Sequence, residues 1–365
     1  MSEARQNRVR QRLDGVDALL VTNLDNIRWL TGFTGSNGWL VVGPDRATLI
    51  TDGRYAAQAE RQLAESGVSA TVSIGMSGAQ LIELVGRACA EYGRVAFEAA
   101  HLSVHQHGQY TQAIAATLVP TVGVVEAGRR NKDETEIAAI ARAATIADQA
   151  LASTAPQIVA GVTEAQVRNT LEVAMRELGA SGPSYETIVA AGPINAALPH
   201  HRPTDTVLAD GDLVIIDVGA LVHGYHSDMT RTLVVGGRPN AQQTELYELV
   251  QRAQQAGLDA VCAGLPAKDL DAACRSVIAA AGYGDWFSHG TGHGVGLLIH
   301  EDPYANATST DVLMAGDVVT VEPGVYRGGF GGIRIEDLVV VTENGCRNLT
   351  SSPKDSLCLQ SPPTT

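Results

Sequence analysis

Asp212 to Val235 reads DLVIIDVGALVHGYHSDMTRTLVV. Apolar runs at both ends and a turn-prone centre predict a β-hairpin that reverses near Val222–Gly224. Asp217 falls inside the first run, flanked by Ile215, Ile216 and Val218. A carboxylate in such a place is rarely buried without a partner. Asp228 follows in the returning strand, which sets the two acids nearly opposite one another, about 5 Å apart if they share a face. Carboxylates that close repel, and each raises the other's pKa. A cation should separate them: Arg231 is one candidate and a metal ion a better one.

The pattern recurs in Asp317 to Gly345, DVVTVEPGVYRGGFGGIRIEDLVVVTENG. Glu322 ends an apolar strand just before Pro323, and Glu336 stands in IRIEDLVVV where the neighbours are apolar. One buried acid is readily explained as an ion pair with an arginine. Four acids, each placed in a strand, are better explained by divalent cations. Ser288 to Pro303, SHGTGHGVGLLIHEDP, holds three of the chain's ten histidines, His289, His293 and His300. Glycines there let the backbone approach a metal and a substrate closely. His293 supplies a nitrogen ligand. His289 and His300 flank it, and a hydrogen-bonded core triad is the other reading of that pair. Histidine with carboxylates suits Mn, Co, Zn or Fe better than Ca or Mg.

Around these segments the chain reads as two parts. Up to residue 127, short apolar runs (Asp17–Asn23, Trp39–Pro44, Ala47–Tyr55) alternate with helical stretches, an α/β pattern. His101, His105 and His107 have a spacing that could bind metal. No carboxylate cluster supports that use, so a surface helix or loop is expected. EAGRRNKDETEIAAI marks the change to a second part, 128–358, with helices near 134–155, 163–179, 240–262 and 267–282. Each helix pair precedes a hairpin carrying two acids, which suits two related α+β units closing around one site. Residues 359–365 are expected to be a flexible tail.

Net charge is −14 with no strongly basic tract, so nucleic acid and anionic membranes are poor partners. Five cysteines without C-x-x-C spacing suggest free thiols. The charged N-terminus lacks an apolar signal core, and no run is long enough to span a bilayer, so a cytoplasmic location is expected.

IIDVGA, YHSDMTRT, HGTGHGVGLLIHE, TVEPGVY and GIRIED occur in the order and spacing of the pita-bread metallopeptidases, which the chain resembles. That group includes methionine aminopeptidase, aminopeptidase P and prolidase. NIRWLTGFTGSNGW and TDGRYAAQA further resemble the creatinase/prolidase-type N-terminal domain, which methionine aminopeptidases lack. The implied architecture is an α/β N-terminal domain followed by an α+β pita-bread catalytic domain. The resemblance implies two divalent ions, with Asp217 a terminal ligand, Asp228 and Glu336 bridging, and His293 and Glu322 on the other ion. It makes a metal-bridging hydroxide the nucleophile, gives His200 and His300 substrate-polarising roles, and has Glu322 carry a proton. His289, Arg334 and Tyr304 are supporting. The implied activity is cleavage of the Xaa-Pro bond at peptide N-termini. Creatinase-like chemistry without metal, or a binding protein that has lost catalysis, fits poorly with a full set of five ligands. In prolidases an arginine often follows the HE-x-P motif. Tyr304 stands there, and no Lys or Arg occurs from Glu301 to Tyr326. That favours an aminopeptidase over a dipeptidase. The resemblance also implies a homodimer or homotetramer, with Trp39 and Arg54 as candidate contacts over a neighbouring subunit's site.

Overall fold

The computed structural model describes residues 2–355 and 357. The expected flexible tail, 359–365, lies outside the described residues. The chain divides into two compact units between Arg129 and Arg130.

The first unit is built on a six-stranded mixed sheet. Its strands run in the order Ala70–Gly75, Ala47–Asp52, Trp39–Val42, Ala18–Val21, Arg94–Glu98, Thr117–Thr121. The central strand, ALLV, is buried along its length, as expected for an apolar run between neighbours on both sides. Leu24–Thr31 is a helix that the apolar periodicity did not single out. Asn23 caps it by accepting from Asp25 N–H, and Gly32 ends it at φ 76°. Val104–Ala113 is a surface helix with a Ser103–Gln106 capping box; it carries His105 and His107, and His107 packs on Phe97. Trp39 donates to Tyr110, and Arg54 forks onto Asp52 at 2.9 Å, so both are satisfied within this unit.

The second unit repeats one plan twice. Helices Glu134–Thr154 and Glu164–Glu177 cover a sheet of Ile188–Ala191, Leu213–Asp217 and Thr230–Val234. Helices Ala241–Ala260 and Ala267–Ala280 cover a second sheet that includes Val318–Val321 and Asp337–Thr342. Strand alternation sorts the residues. Val214 and Ile216 join the core under the first helix pair, and Val319, Val321, Val339 and Val341 the core under the second. The acids have the other parity. Asp217 shares its face with Ile215, which packs on Tyr326. Among the described residues, no helix is long and apolar enough to cross a membrane.

Three sequence expectations change. The hairpin does turn at His223–Gly224, both at positive φ, joining Ala220–Val222 to Tyr225–His226. Its register, however, pairs Asp217 with Thr230. Asp228 is therefore a diagonal neighbour of Asp217 rather than its opposite, still on the same face. Arg231 pairs with Ile216 in the register and so points to the other face. There it binds Asp337 at 2.8 Å and the Ser352 carbonyl, and it does not separate the two acids. Finally, Asp228 falls in the link between Tyr225–His226 and Thr230–Val234 rather than in the returning strand, and Glu322 and Glu336 are not inside strands either. Each of these glutamates sits where the chain changes sheets, on leaving for and returning from the ribbon Gly324–Arg327/Gly331–Arg334. Pro323, which has no N–H for the ladder, marks the first crossing.

Gly219 sits where the chain passes from the Asp217 strand to the hairpin, and a Cβ there would overlap the Ser227 carbonyl. Gly219→Ala should therefore destabilise the unit by roughly 1–3 kcal/mol, read as a lower denaturation midpoint. An unchanged midpoint would mean that this close approach is not needed.

Candidate metal centre

The two crossings and the hairpin bring four carboxylates to one cavity of about 530 Å³. Asp217, Asp228, Glu322 and Glu336 all line it, together with His200, His289, His293, His300, Tyr304 and Arg334. Of the residues singled out in the sequence, these ten meet there, whereas Arg231, Trp39 and Arg54 do not; their surroundings are described above.

Hydrogen bonds account for part of the negative charge. Arg334, 3% exposed, donates from Nη2 to Asp217 Oδ2 at 2.8 Å, from Nε to Thr230 Oγ1 at 2.9 Å, and from Nη1 to Tyr326 Oη at 2.8 Å and Pro199 O at 2.9 Å. Thr230 passes the link on to Glu336 Oε2 at 2.6 Å. The Tyr185 hydroxyl lies against both Asp217 Oδ1 and Asp228 Oδ1. One phenolic proton cannot serve two carboxylates fully. Glu336 Oε1 is buried with no hydrogen-bond partner.

His293 sharpens the deficit. Its Nδ1 lies 3.1 Å from Gly294 O, a carbonyl that can only accept, so the ring proton is on Nδ1. The Nε2 lone pair then faces Asp228 Oδ2 at 3.5 Å and Glu322 Oε1 at 3.4 Å. Burial holds the His293 pKa below the ordinary imidazole value, so the ring stays neutral. Three electron-rich groups thus point at one another. Ligand atoms of Asp228, His293 and Glu336 lie within 4.8 Å of each other. Burial, then the charges of Asp217 and Glu322, push the Asp228 carboxyl well above its usual range. Burial, then Asp228 and Glu322, do the same to Glu336. Burial also raises Glu322. This donor set, with an orphaned buried oxygen and one arginine against four acids, fits a divalent cation bound by oxygen and imidazole.

The histidines around the cluster are held from behind. His289 Nδ1 bonds Gly290 O at 2.8 Å and Nε2 meets Tyr326 Oη at 2.9 Å, which makes it a brace behind the acids. The His300 ring packs edge-on against His293, centroids 4.4 Å apart, and burial lowers its pKa. The next residue, Glu301, binds the buried Lys132 at 2.7 Å. His200 is exposed in the cavity, and the following His201 is anchored to buried Glu164 at 2.9 Å. Tyr304 is 41% exposed on the wall.

Sequence reading missed Tyr185, Thr230, Glu164, His201 and Lys132. None carries a local signal except Lys132, in the charged NKDE segment read only as a boundary. It also overlooked Arg202, which lines the cavity and pairs with Glu186.

Removing one acid tests the charge argument. Glu336→Gln should raise the melting temperature of metal-free protein, by roughly 2–4 °C for each kcal/mol of repulsion relieved. The same variant should lose the further rise that Mn²⁺ gives the wild type by binding the folded state. A metal-free melting temperature that falls, with the Mn²⁺ response kept, would contradict the argument.

Residues 138–343 match Metallopeptidase family M24, and residues 5–130 match the Creatinase/Prolidase N-terminal domain. The chain is 41% identical to the uncharacterized peptidase YqhT of Bacillus subtilis, over 94% of this chain and 96% of that one. Its structure is similar to that of an Xaa-Pro dipeptidase from Bacillus anthracis, with TM-score 0.93 and 39% identity, covering 97% of this chain and 99% of that one. It is also similar to an X-Pro aminopeptidase from Thermotoga maritima, with TM-score 0.87 and 33% identity over 97% and 98% of the two chains. With four acids and an imidazole gathered at the crossings of a twofold-repeated unit, the chain belongs to metallopeptidase family M24, as a pita-bread enzyme preceded by a creatinase/prolidase N-terminal domain.

Proposed function

We propose that the protein is an exopeptidase that hydrolyses the Xaa-Pro bond at the N-terminus of proline-containing peptides. The observation that carries this reading is the convergence of Asp217, Asp228, His293, Glu322 and Glu336 in one cavity with two further histidines on its wall. The names of the similar structures from Bacillus anthracis and Thermotoga maritima support the proline specificity.

In this reading the five residues would hold two divalent ions, whose four positive charges would balance the four carboxylates. Bound there, such ions polarise a carbonyl and lower the pKa of water. The chain's own groups do the rest. Glu322, at the wall of the cavity, can carry a proton to the leaving proline nitrogen. His200 and His300 reach the cavity from opposite sequence segments and can donate to the carbonyl oxygen as charge develops on it. The clamps His201–Glu164 and Lys132–Glu301 keep those two rings in place.

Dipeptides are the favoured length class, supported by the Bacillus anthracis Xaa-Pro dipeptidase, which is similar along 97% of this chain. The aminopeptidase is the second reading, and the lack of Lys or Arg between Glu301 and Tyr326 favours it. The discriminating experiment compares an Xaa-Pro dipeptide with an Xaa-Pro-Yaa tripeptide, using Mn²⁺- or Co²⁺-loaded protein. The dipeptide should have the higher kcat/KM. The reverse order would select the aminopeptidase, and no cleavage of any Xaa-Pro bond would sink both.

Two variants separate metal binding from substrate polarisation. Asp228→Ala should lose bound metal and activity together. His300→Ala should keep its metal, measured by atomic emission, while kcat falls about 10²-fold. Loss of metal in His300→Ala would move that ring into the coordination sphere.

A further inference from the structure

We infer that Arg202 takes the C-terminal carboxylate of the substrate and so sets a preference for dipeptides; this rests on the Xaa-Pro reading above. A free carboxylate entering this cavity meets the four clustered acids and Glu186, in a chain of net charge −14. It needs a cation that is not locked into buried contacts. The cavity lining contains two arginines and no lysine among the described residues. Arg334 is not available: it is buried, and all three of its nitrogens bond protein oxygens, one of them the Asp217 carboxylate.

Arg202 differs in each respect. Its side chain is 78% exposed although it lines the cavity, which puts it at the opening. Its ion-pair partner is Glu186, 3.2 Å from Nε and itself 49% exposed. An exposed pair of this kind contributes little stability, so an incoming carboxylate can take the place of Glu186. A guanidinium is suited to that exchange, because its fork matches a carboxylate in two-point contact.

The backbone beneath Arg202 is fixed while the side chain is free. His201 before it and Thr204 after it both bond the buried Glu164 carboxylate, at 2.9 Å from the ring and at 2.9 and 2.8 Å from the Thr204 N–H and hydroxyl. The anchored segment also presents His200 to the cavity. One short stretch therefore supplies a group for the carbonyl and a charge for the chain end. Tyr185, whose hydroxyl rests on Asp217 and Asp228, lines the same cavity as Glu186 and Arg202, so the pair faces the space that holds the acids. A longer peptide presents a neutral amide at this point and gains nothing from Arg202.

The test uses full-length Mn²⁺-loaded protein and two substrates of equal length, Ala-Pro and its C-terminal amide. The quantity read is the ratio of kcat/KM for the acid to that for the amide. Arg202→Gln should lower this ratio about tenfold, mostly through KM for the acid, a change equivalent to about 1.4 kcal/mol. Glu186→Gln should shift it the opposite way, because a competitor for the guanidinium and a repelling charge are both gone. Arg202→Lys should fall between wild type and Arg202→Gln. If the wild type cleaves both substrates and the ratio is the same in Arg202→Gln, the inference is overturned and the Xaa-Pro reading stands. A lower ratio in Glu186→Gln would overturn it as well, even if Arg202→Gln did not fold. If the wild type cleaves neither substrate, the Xaa-Pro reading itself fails, and the role of Arg202 with it.

Discussion

The second unit is organised around a buried excess of negative charge. Four carboxylates converge with one buried arginine, Arg334, bonded to Asp217, and a neutral imidazole turns its lone pair toward two of them. Such a cluster opposes folding unless something compensates it. The compensation visible in the chain is partial. Arg334 neutralises Asp217, Thr230 bonds one oxygen of Glu336, and Tyr185 is divided between Asp217 and Asp228. The unpartnered Glu336 Oε1 is what remains, and a bound cation is the natural complement.

Two stacked-up copies of one motif make this possible. In each, a helix pair takes the apolar parity of its strands, leaving the other parity for Asp217 and Asp228 in one half and for Glu322 and Glu336 in the other. The acids sit at strand ends and sheet changes, where a side chain is not committed to a packed face. Rigid supports surround them. Gly292 lets the His293 strand pass close to the Thr320 carbonyl, and Thr320 in turn bonds the His293 N–H and Glu322 Oε1. The buried pairs Lys132–Glu301 and His201–Glu164 extend that support to the residues beside His300 and His200.

Much of this was legible in the sequence, for a physical reason. An acid in or at the end of an apolar run contradicts the local pattern, and Asp217, Glu322 and Glu336 each announce themselves that way, whereas Asp228 in HSDMTRT is placed by the return of the hairpin. His293 stands out among glycines. The helix pairs follow from periodicity, and Asp133 and Glu136 mark the start of the first as a capping box. What stayed hidden depends on contacts between distant segments. Tyr185 looks like any tyrosine in SYET until the hairpin folds over it. Lys132 meets Glu301 across 169 positions, and Arg231 resembled a site cation until the register turned it to the other face. Arg202 carries no local signal: the position after HE-x-P, where prolidases often have an arginine, holds Tyr304, and the cavity draws its wall from other segments as well.

The central claim is that this charge excess exists to bind cations. Anomalous diffraction at the manganese edge, from crystals grown with Mn²⁺, tests it most directly. The account predicts two peaks among Asp217, Asp228, His293, Glu322 and Glu336, one of them contacting Glu336 Oε1. An empty cavity in which the carboxylates pair through shared protons would contradict it.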